Sequence, residues 1–365
     1  MIEISILKTE PFALRQSQKE AVFLPEIKKA AIWHYQNCPE FKNLCDNRKF
    51  DPFLDFNLAD LPYFPVSIFK KFDLLSVPKK EIIKTLYSSS TSGQPSKIML
   101  DKATADYQAI AINKIMSDFL GKTRRNFIIF DNEKTVQTVN GELSSRGTAI
   151  RGLLSFARKT CFVLDENLKL DIERLKLLAE QIPCGEKICF FGFTWILYRL
   201  YLENKENGQV KDIFKKFLSG DKIILHIGGW KKIKDLAVSK DDFNRQISGL
   251  AEVKIGKIID FYGMTEQLGT VYPDCECGYK HIPVYSEIII RDIDTLAPLS
   301  AGKTGFIQFV SPIPKSYPGI SILSDDIGKV IGVDDCRCGR LGKYFVFEKR
   351  LEAAELKGCG DTLKI

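Results

Sequence analysis

Apolar and polar positions follow two different rhythms along this chain. In the middle, short apolar runs recur at 126–131, 160–165, 187–192, 222–228 and 257–262, each bounded by polar or glycine-containing stretches. Runs this short and this apolar read as strands buried on both faces. Helical spacing fills the gaps at 147–157, 171–181 and 194–203. Strands alternating with helices predict an α/β fold of helix-covered sheets, with ligands held where strands end in loops. Before this region, Ala21, Leu24, Ile27, Ala30, Ala31, Trp33 and His34 mark one or two helices within 15–43. A proline-punctuated segment follows at 61–70, and 103–120 forms another helix with Gly121 just after it. Beyond Val271 the pattern changes to strands at 283–291, 305–312 and 343–348, separated by turn residues. The expected division is a helical segment over 1–85, an α/β region over 86–270 and a β-rich portion over 271–365.

Composition narrows the class. The chain has 365 residues, 45% of them hydrophobic and 27% charged, enough for a large buried core in two or three domains or subdomains. Its net charge is +7, but lysine and arginine are scattered. That distribution suits a small anionic ligand at least as well as nucleic acid. No basic patch interleaved with aromatics is visible, so no nucleic-acid partner is expected. There is no apolar run of membrane-spanning length and no export signal, so no membrane span is expected. Ten cysteines in that context imply a reducing cytoplasm, with thiols or metal ligands in place of disulfides.

The stretch from Tyr87 to Lys97 carries the first candidate chemistry. Ser88, Ser89, Ser90, Thr91 and Ser92 run into Gly93, and Lys97 closes the segment. Apolar runs on both sides make it a loop between two strands. Its hydroxyl and backbone N–H donors can wrap a polyphosphate, with Gly93 permitting close approach. Lys97 adds a point charge for phosphate oxygens. A solvated loop with no ligand has the same composition, so the downstream motifs decide.

Three further loops are expected after strands. Gly228 and Gly229 allow flat approach to a ring, which Trp230 either covers or leaves by joining the core. Tyr262, Gly263, Thr265 and Glu266 place an aromatic face, a tight turn, a hydroxyl and a Mg²⁺-binding carboxylate close together. Asp325 and Asp326 can hydrogen-bond a ribose diol or make an Asx turn before Gly328.

In this order, with Arg350 last, the motifs resemble those of the adenylate-forming superfamily of acyl-CoA ligases and adenylation domains. The serine loop is similar to its phosphate loop, 262–266 to its aromatic-Gly-x-Thr-Glu motif, and Asp326 to its ribose-binding aspartate. The segment 349–358 resembles its hinge motif, one residue shorter. Within the superfamily the chain most resembles the acyl-protein synthetases of LuxE type, through 63–69, 228–231, 241–244, 324–328 and 357–359. The resemblance implies that ATP and Mg²⁺ activate a carboxylic acid, a fatty acid by family, to acyl-AMP. The acyl group then passes to a cysteine of the same chain, and a partner reductase collects it. It also implies Tyr262 on the adenine, Asp326 on the ribose, Arg350 on ribose or phosphate, and Glu266 on Mg²⁺. Transfer to CoA or a carrier protein is the alternative, and a non-catalytic nucleotide-binding subunit is a third reading.

Typical superfamily members continue past the hinge into a small domain that carries a catalytic lysine. Here seven residues follow Gly358, and Cys359 is flanked by Gly358 and Gly360. A thiol between glycines near a chain end suits a shuttling nucleophile, and the family match at 357–359 favours that role. Lys343, Lys349 and Lys357 are equally placed to substitute for the missing lysine.

A second constellation is independent of these motifs. Cys275 and Cys277, then Cys336 and Cys338, form two Cys-x-Cys-Gly units. Four thiolates suit a tetrahedral, structural Zn²⁺, and His281 is close enough to replace one of them. Phenylacetate-CoA ligases show similar cysteine-glycine units. The remaining internal cysteines, Cys38, Cys45, Cys161, Cys184 and Cys189, have no partner pattern and are taken as packing residues.

Overall fold

The apolar runs of the middle region form a parallel sheet. The structure, a computed structural model, describes residues 4–88, 94–138, 144–217 and 221–351. The strands lie in the order Ala157–Phe162, Arg125–Phe130, Ile188–Phe193, Lys222–Ile227, Ile258–Tyr262. All pairings among these five are parallel. Arg125–Phe130 and Ile188–Phe193 are buried at every position, as strands covered on both faces must be. The helices between them start where side chains can accept the first free N–H groups. Asp171 caps Ile172–Gln181, Asn207 caps Gly208–Lys216 and Ser239 caps Lys240–Ala251. This unit comprises 117–262 and the short segment 273–278.

The other unit comprises 1–116, 263–272 and 279–365, of which 4–88, 94–116, 263–272 and 279–351 are described. Its sheet runs Lys280–His281, Lys343–Arg350, Ser321–Val333, Gly305–Val310, Glu287–Arg291, all antiparallel. Phe64–Pro65 adds parallel to Ile322 and Leu323. A separate hairpin pairs Ile82–Tyr87 with Lys97–Asp101. The helical spacing at the N-terminus resolves into two helices, Gln16–Asn37 and Pro39–Asn47, divided at Cys38. One expectation fails here. The Asp325-Asp326 pair does not lie in a loop after a strand but inside the 13-residue strand Ser321–Val333. Its serines, aspartates and glycines read as a turn, yet neighbours on both sides satisfy its backbone. Among the described residues, no helix is long and apolar enough to cross a membrane.

Polar contacts inside this second unit are as specific as the apolar ones. His34 is fully buried. Its Nε2–H donates to the carbonyl of Pro314 at 3.0 Å, and its Nδ1 accepts from the Ser76 hydroxyl at 2.7 Å. A carbonyl only accepts, so Nε2 carries a proton, and burial disfavours a second one on Nδ1. Burial lowers its pKa from 6.5 to about 4, against the opposing pull of the Pro314 carbonyl. A histidine depressed in the folded state stabilises fully above the unfolded value. That stability is lost as pH falls through the folded one. Between pH 6.5 and 4 the protein is therefore expected to lose up to about 3 kcal/mol through His34. In denaturant titrations, His34→Gln is expected to remove that slope. A difference between the two proteins that stays constant over this window would count against it.

Candidate active site and a cysteine–histidine cluster

The serine loop springs from the Ile82–Tyr87 and Lys97–Asp101 hairpin, with Tyr87 opposite Lys97. Ser88 and Ser96 close its base. The Ser88 N–H donates to the Ser96 carbonyl at 3.0 Å, and the Ser96 N–H donates to the Ser88 hydroxyl oxygen at 2.9 Å. Ser89, Ser90, Thr91, Ser92 and Gly93 lie outside the described residues. Lys97 is not pointed at open space. Its Nζ donates to Asp73 at 2.8 Å, and that carboxylate raises its pKa. Both partners are partly exposed, so the pair exchanges for another anion at little cost.

Glu266 stands in a short turn, Thr265–Gln267, and is buried. Its own carbonyl accepts from the hydroxyl of buried Tyr317 at 2.9 Å, and the Gln267 amide ties the turn to the Phe309 and Gly319 carbonyls. Burial pushes the Glu266 carboxyl above its ordinary value, although the Ser96 hydroxyl, Arg350 and Lys70 pull the other way. Tyr262 and Gly263, just before this turn, are half-buried, as is Thr265.

Asp326 is 1% exposed. It lies opposite Arg350 in the register of Ser321–Val333 and Lys343–Arg350. The guanidinium grips it with two bonds, Nε to Oδ1 at 2.6 Å and Nη2 to Oδ2 at 2.9 Å. The planar fork of arginine matches a carboxylate in this way, and lysine cannot. Asp325, beside it, is raised by burial and by the Asp326 charge, with Arg350 and Lys70 opposing. Lys70 therefore acts on both Glu266 and Asp325, a role its place at the end of the Val66–Lys70 turn gave no reason to expect. Two carboxyls held high by burial form an environment short of positive charge, which a divalent cation would relieve.

The parallel sheet presents its own polar group at the strand ends. Gly192, His226 and Asp260 are opposite one another on three adjacent strands. The Thr194 hydroxyl donates to the Gly228 carbonyl at 2.7 Å, so its oxygen accepts from His226 Nδ1 at 3.0 Å. The Asp260 carboxylate lies 3.8 Å from the same nitrogen. This chain fixes the loop at Gly228, whose φ of +88° only glycine adopts without strain. Gly228 and Gly229 are exposed. Trp230 sits edge-on to Tyr198 and Phe243, so its ring joins the local core. Sequence reasoning singled out the glycines but not Thr194 or His226. The only available signal was a histidine at the end of an otherwise apolar strand.

In the antiparallel unit, His281, Cys336 and Cys338 place one ligand atom each within 4.8 Å of one another. His281 Nε2 lies 3.2 Å from the Cys338 sulfur, and Cys277 is half-buried. Cys359 lies outside the described residues.

Similarity to known proteins agrees with this architecture. A profile of the acyl-protein synthetase (LuxE) family matches residues 1–365. The chain is 25% identical over 339 residues to the long-chain-fatty-acid–luciferin-component ligase of Aliivibrio fischeri, covering 90% of this chain and 84% of that protein. The protein of the same name from Vibrio harveyi is also 25% identical over 339 residues, covering 91% and 85%. The crystal structure of an open 2-hydroxyisobutyryl-CoA ligase with 2-HIB-AMP and CoA has the same fold. Its TM-score is 0.70 at 15% identity, covering 93% of this chain and 76% of that one. The chain therefore belongs to the LuxE family of acyl-protein synthetases, ligases built on the fold of adenylate-forming enzymes.

Proposed function

We infer that this chain activates a fatty acid with ATP as an acyl adenylate and passes the acyl group to Cys359 as a thioester. The family match over residues 1–365 carries this reading. The substrate class rests on the names of the long-chain-fatty-acid ligases that it resembles.

The chemistry has two displacements. A carboxylate oxygen attacks the α-phosphorus of ATP, the new C–O–P bond forms, and pyrophosphate leaves with the electron pair of the broken P–O bond. The resulting anhydride makes AMP the leaving group for the second step. A thiolate attacks the carbonyl carbon, the acyl C–O bond breaks, and AMP departs. Neither step needs a covalent nucleophile other than the thiol, so the protein's task is alignment and charge neutralisation. Mg²⁺ would supply charge to the phosphates, and Glu266 is the residue suited to hold it. Asp326 is assigned to the ribose hydroxyls and Arg350 to ribose or phosphate, with the bidentate pair holding each in place. Ser88, Ser89, Ser90, Thr91, Ser92, Gly93 and Lys97 are assigned to the phosphates. Tyr262 with Gly263 and Thr265 is assigned to the adenine and its neighbourhood, and Gly228 with Gly229 to a flat face of the bound ligand. A reductase that collects the thioester is the implied protein partner.

Intact-protein mass after incubation with ATP, Mg²⁺ and fatty acids of graded length tests this. Wild type is expected to gain one acyl group, removable by hydroxylamine, and the acid that labels best names the substrate. Cys359→Ser is expected to gain none while still releasing pyrophosphate. Acyl mass retained on Cys359→Ser would place the acceptor elsewhere in the chain. Pyrophosphate release without any mass gain in wild type would point to CoA or a carrier protein as acceptor. ATP binding with no acid-dependent pyrophosphate would leave a nucleotide-binding subunit without chemistry.

A further inference from the structure

One cation beside the candidate site is positioned by the backbone alone. Lys70 ends the turn Val66–Lys70, and the chain is tied down on both sides of it. Phe64 and Pro65 pair with Ile322 and Leu323, and the Ser76 N–H donates to the Ser316 carbonyl at 2.7 Å. Between these anchors Val66, Ile68 and Phe69 are buried. The Phe69 ring meets the Tyr317 ring edge-on at 6.0 Å, and the Tyr317 hydroxyl donates to the Glu266 carbonyl at 2.9 Å. The turn also packs against Ser321–Val333, the strand that carries Asp325 and Asp326. Lys70, which is exposed, is therefore carried to Glu266 and Asp325 by buried neighbours, and its charge acts on both carboxyls. All of these residues belong to the antiparallel unit.

The other cations of that unit near these carboxyls are engaged. Arg350 forks onto Asp326, and Lys97 donates to Asp73. Lys343 lies 3.4 Å from the buried Glu287 carboxylate. Lys349 precedes Arg350 on one strand, so its side chain leaves from the opposite face. Among the described residues Lys70 has neither a hydrogen-bonded nor an ion-paired partner. We propose that Lys70 is a further substrate-contacting residue of the adenylation step, its ammonium resting on phosphate oxygens of the nucleotide beside Glu266 and Asp325. This rests on the reading of the chain as an ATP-dependent, acid-activating ligase. An ammonium with no bond to give up, next to a carboxyl suited to Mg²⁺, matches the triphosphate that Mg²⁺ accompanies. As the carboxylate oxygen attacks the α-phosphorus and pyrophosphate leaves, charge shifts among the phosphate oxygens, and a fixed ammonium stabilises it. Lys70 itself forms and breaks no covalent bond.

Acid-dependent pyrophosphate release and calorimetric binding of ATP and adenosine test this on the full chain, as wild type, Lys70→Met, Lys70→Arg and Lys71→Met. Wild type that neither binds ATP nor releases pyrophosphate would overturn the ligase reading and this inference with it. With wild type active, Lys70→Met is expected to lower kcat/KM for ATP about thirtyfold or more. It is expected to weaken ATP binding about tenfold and to leave adenosine binding within about twofold, because adenosine has no phosphate to lose. Lys70→Arg keeps the charge and is expected to recover most of the loss in ATP binding. Lys71→Met removes an equally exposed neighbouring charge and is expected to match wild type. A lysine that only shaped the turn would affect ATP and adenosine alike, so equal losses for the two overturn the proposal. Wild-type turnover in Lys70→Met overturns it as well. So does a loss in Lys71→Met as large as that in Lys70→Met, which would make the effect one of net charge. In these last three cases wild type still makes acyl adenylate, and the ligase reading stands.

Discussion

Glu266→Gln is expected to abolish acid-dependent pyrophosphate release, by about a hundredfold or more, while making the ligand-free protein more stable. Both effects come from one carboxyl. Burial raises its pKa above the ordinary 4.5, which means that the folded protein disfavours the ionised form more than the unfolded chain does. A carboxyl raised in the folded state contributes most below the unfolded value. That contribution declines as pH rises through the raised one. At neutral pH the ionised group is therefore a cost, which glutamine of the same shape removes. The variant is therefore expected to melt higher than wild type when both are free of ligand. The same preference makes magnesium and protons competitors, so magnesium affinity is expected to rise with pH across the raised titration and to lose that slope in the variant. Calorimetry with and without Mg²⁺, alongside pyrophosphate release, reads all three. A variant with wild-type turnover would remove Glu266 from the metal site, whatever its stability.

Asp326→Asn is expected to raise the KM for ATP about tenfold or more, and Arg350→Lys to do nearly the same. Asp326 is almost fully enclosed, and its two oxygens are aligned by the Arg350 fork at 2.6 and 2.9 Å. Asparagine keeps the shape but offers an N–H where the fork already donates, and lysine cannot grip both oxygens. The two changes act on one unit, so their effects should not add. A coupling of about 1–3 kcal/mol between them is expected from a double-mutant cycle on kcat/KM. Strict additivity would mean that the two residues contact the substrate separately. Stability is a weaker readout, because half of the Arg350 side chain is in water and screening reduces what the pair contributes to folding.

Much of the α/β unit was legible in the chain. Arg125–Phe130, Ile188–Phe193 and Lys222–Ile227 fall within one residue of the expected runs at both ends. A strand buried on both faces needs an unbroken apolar run, and little else in a sequence looks like one. The helices Ile172–Gln181 and Thr194–Asn204 also fall where the spacing expected them, whereas Gly208–Lys216 and Lys240–Ala251, capped by Asn207 and Ser239, were not expected. The long strand Ser321–Val333 was not legible. Its middle, Ser324-Asp-Asp, carries the residues of a turn, and only pairing with Gly305–Val310 and Lys343–Arg350 makes it extended. The candidate site divides in the same way. Glu266, Asp326 and Arg350 were marked by motif order, whereas Lys70, Thr194 and His226 have no local signature.

By itself, then, the sequence determined the class of fold, the order of the serine loop, the 262–266 motif and the Asp325-Asp326 pair, and which residue types were available for chemistry. These follow from local rules: apolar runs, caps, and glycines where the backbone must turn. The tertiary structure decided which of those residues meet. It paired Asp326 with Arg350 across two strands, brought Lys97 to Asp73, and set His281 against Cys338. The last contact shows why, because it is the pairing of Lys280–His281 with Tyr344 and Phe345 that brings the imidazole to the turn holding Cys338. Proximity between distant segments is a property of strand register and packing, which a short local motif cannot encode.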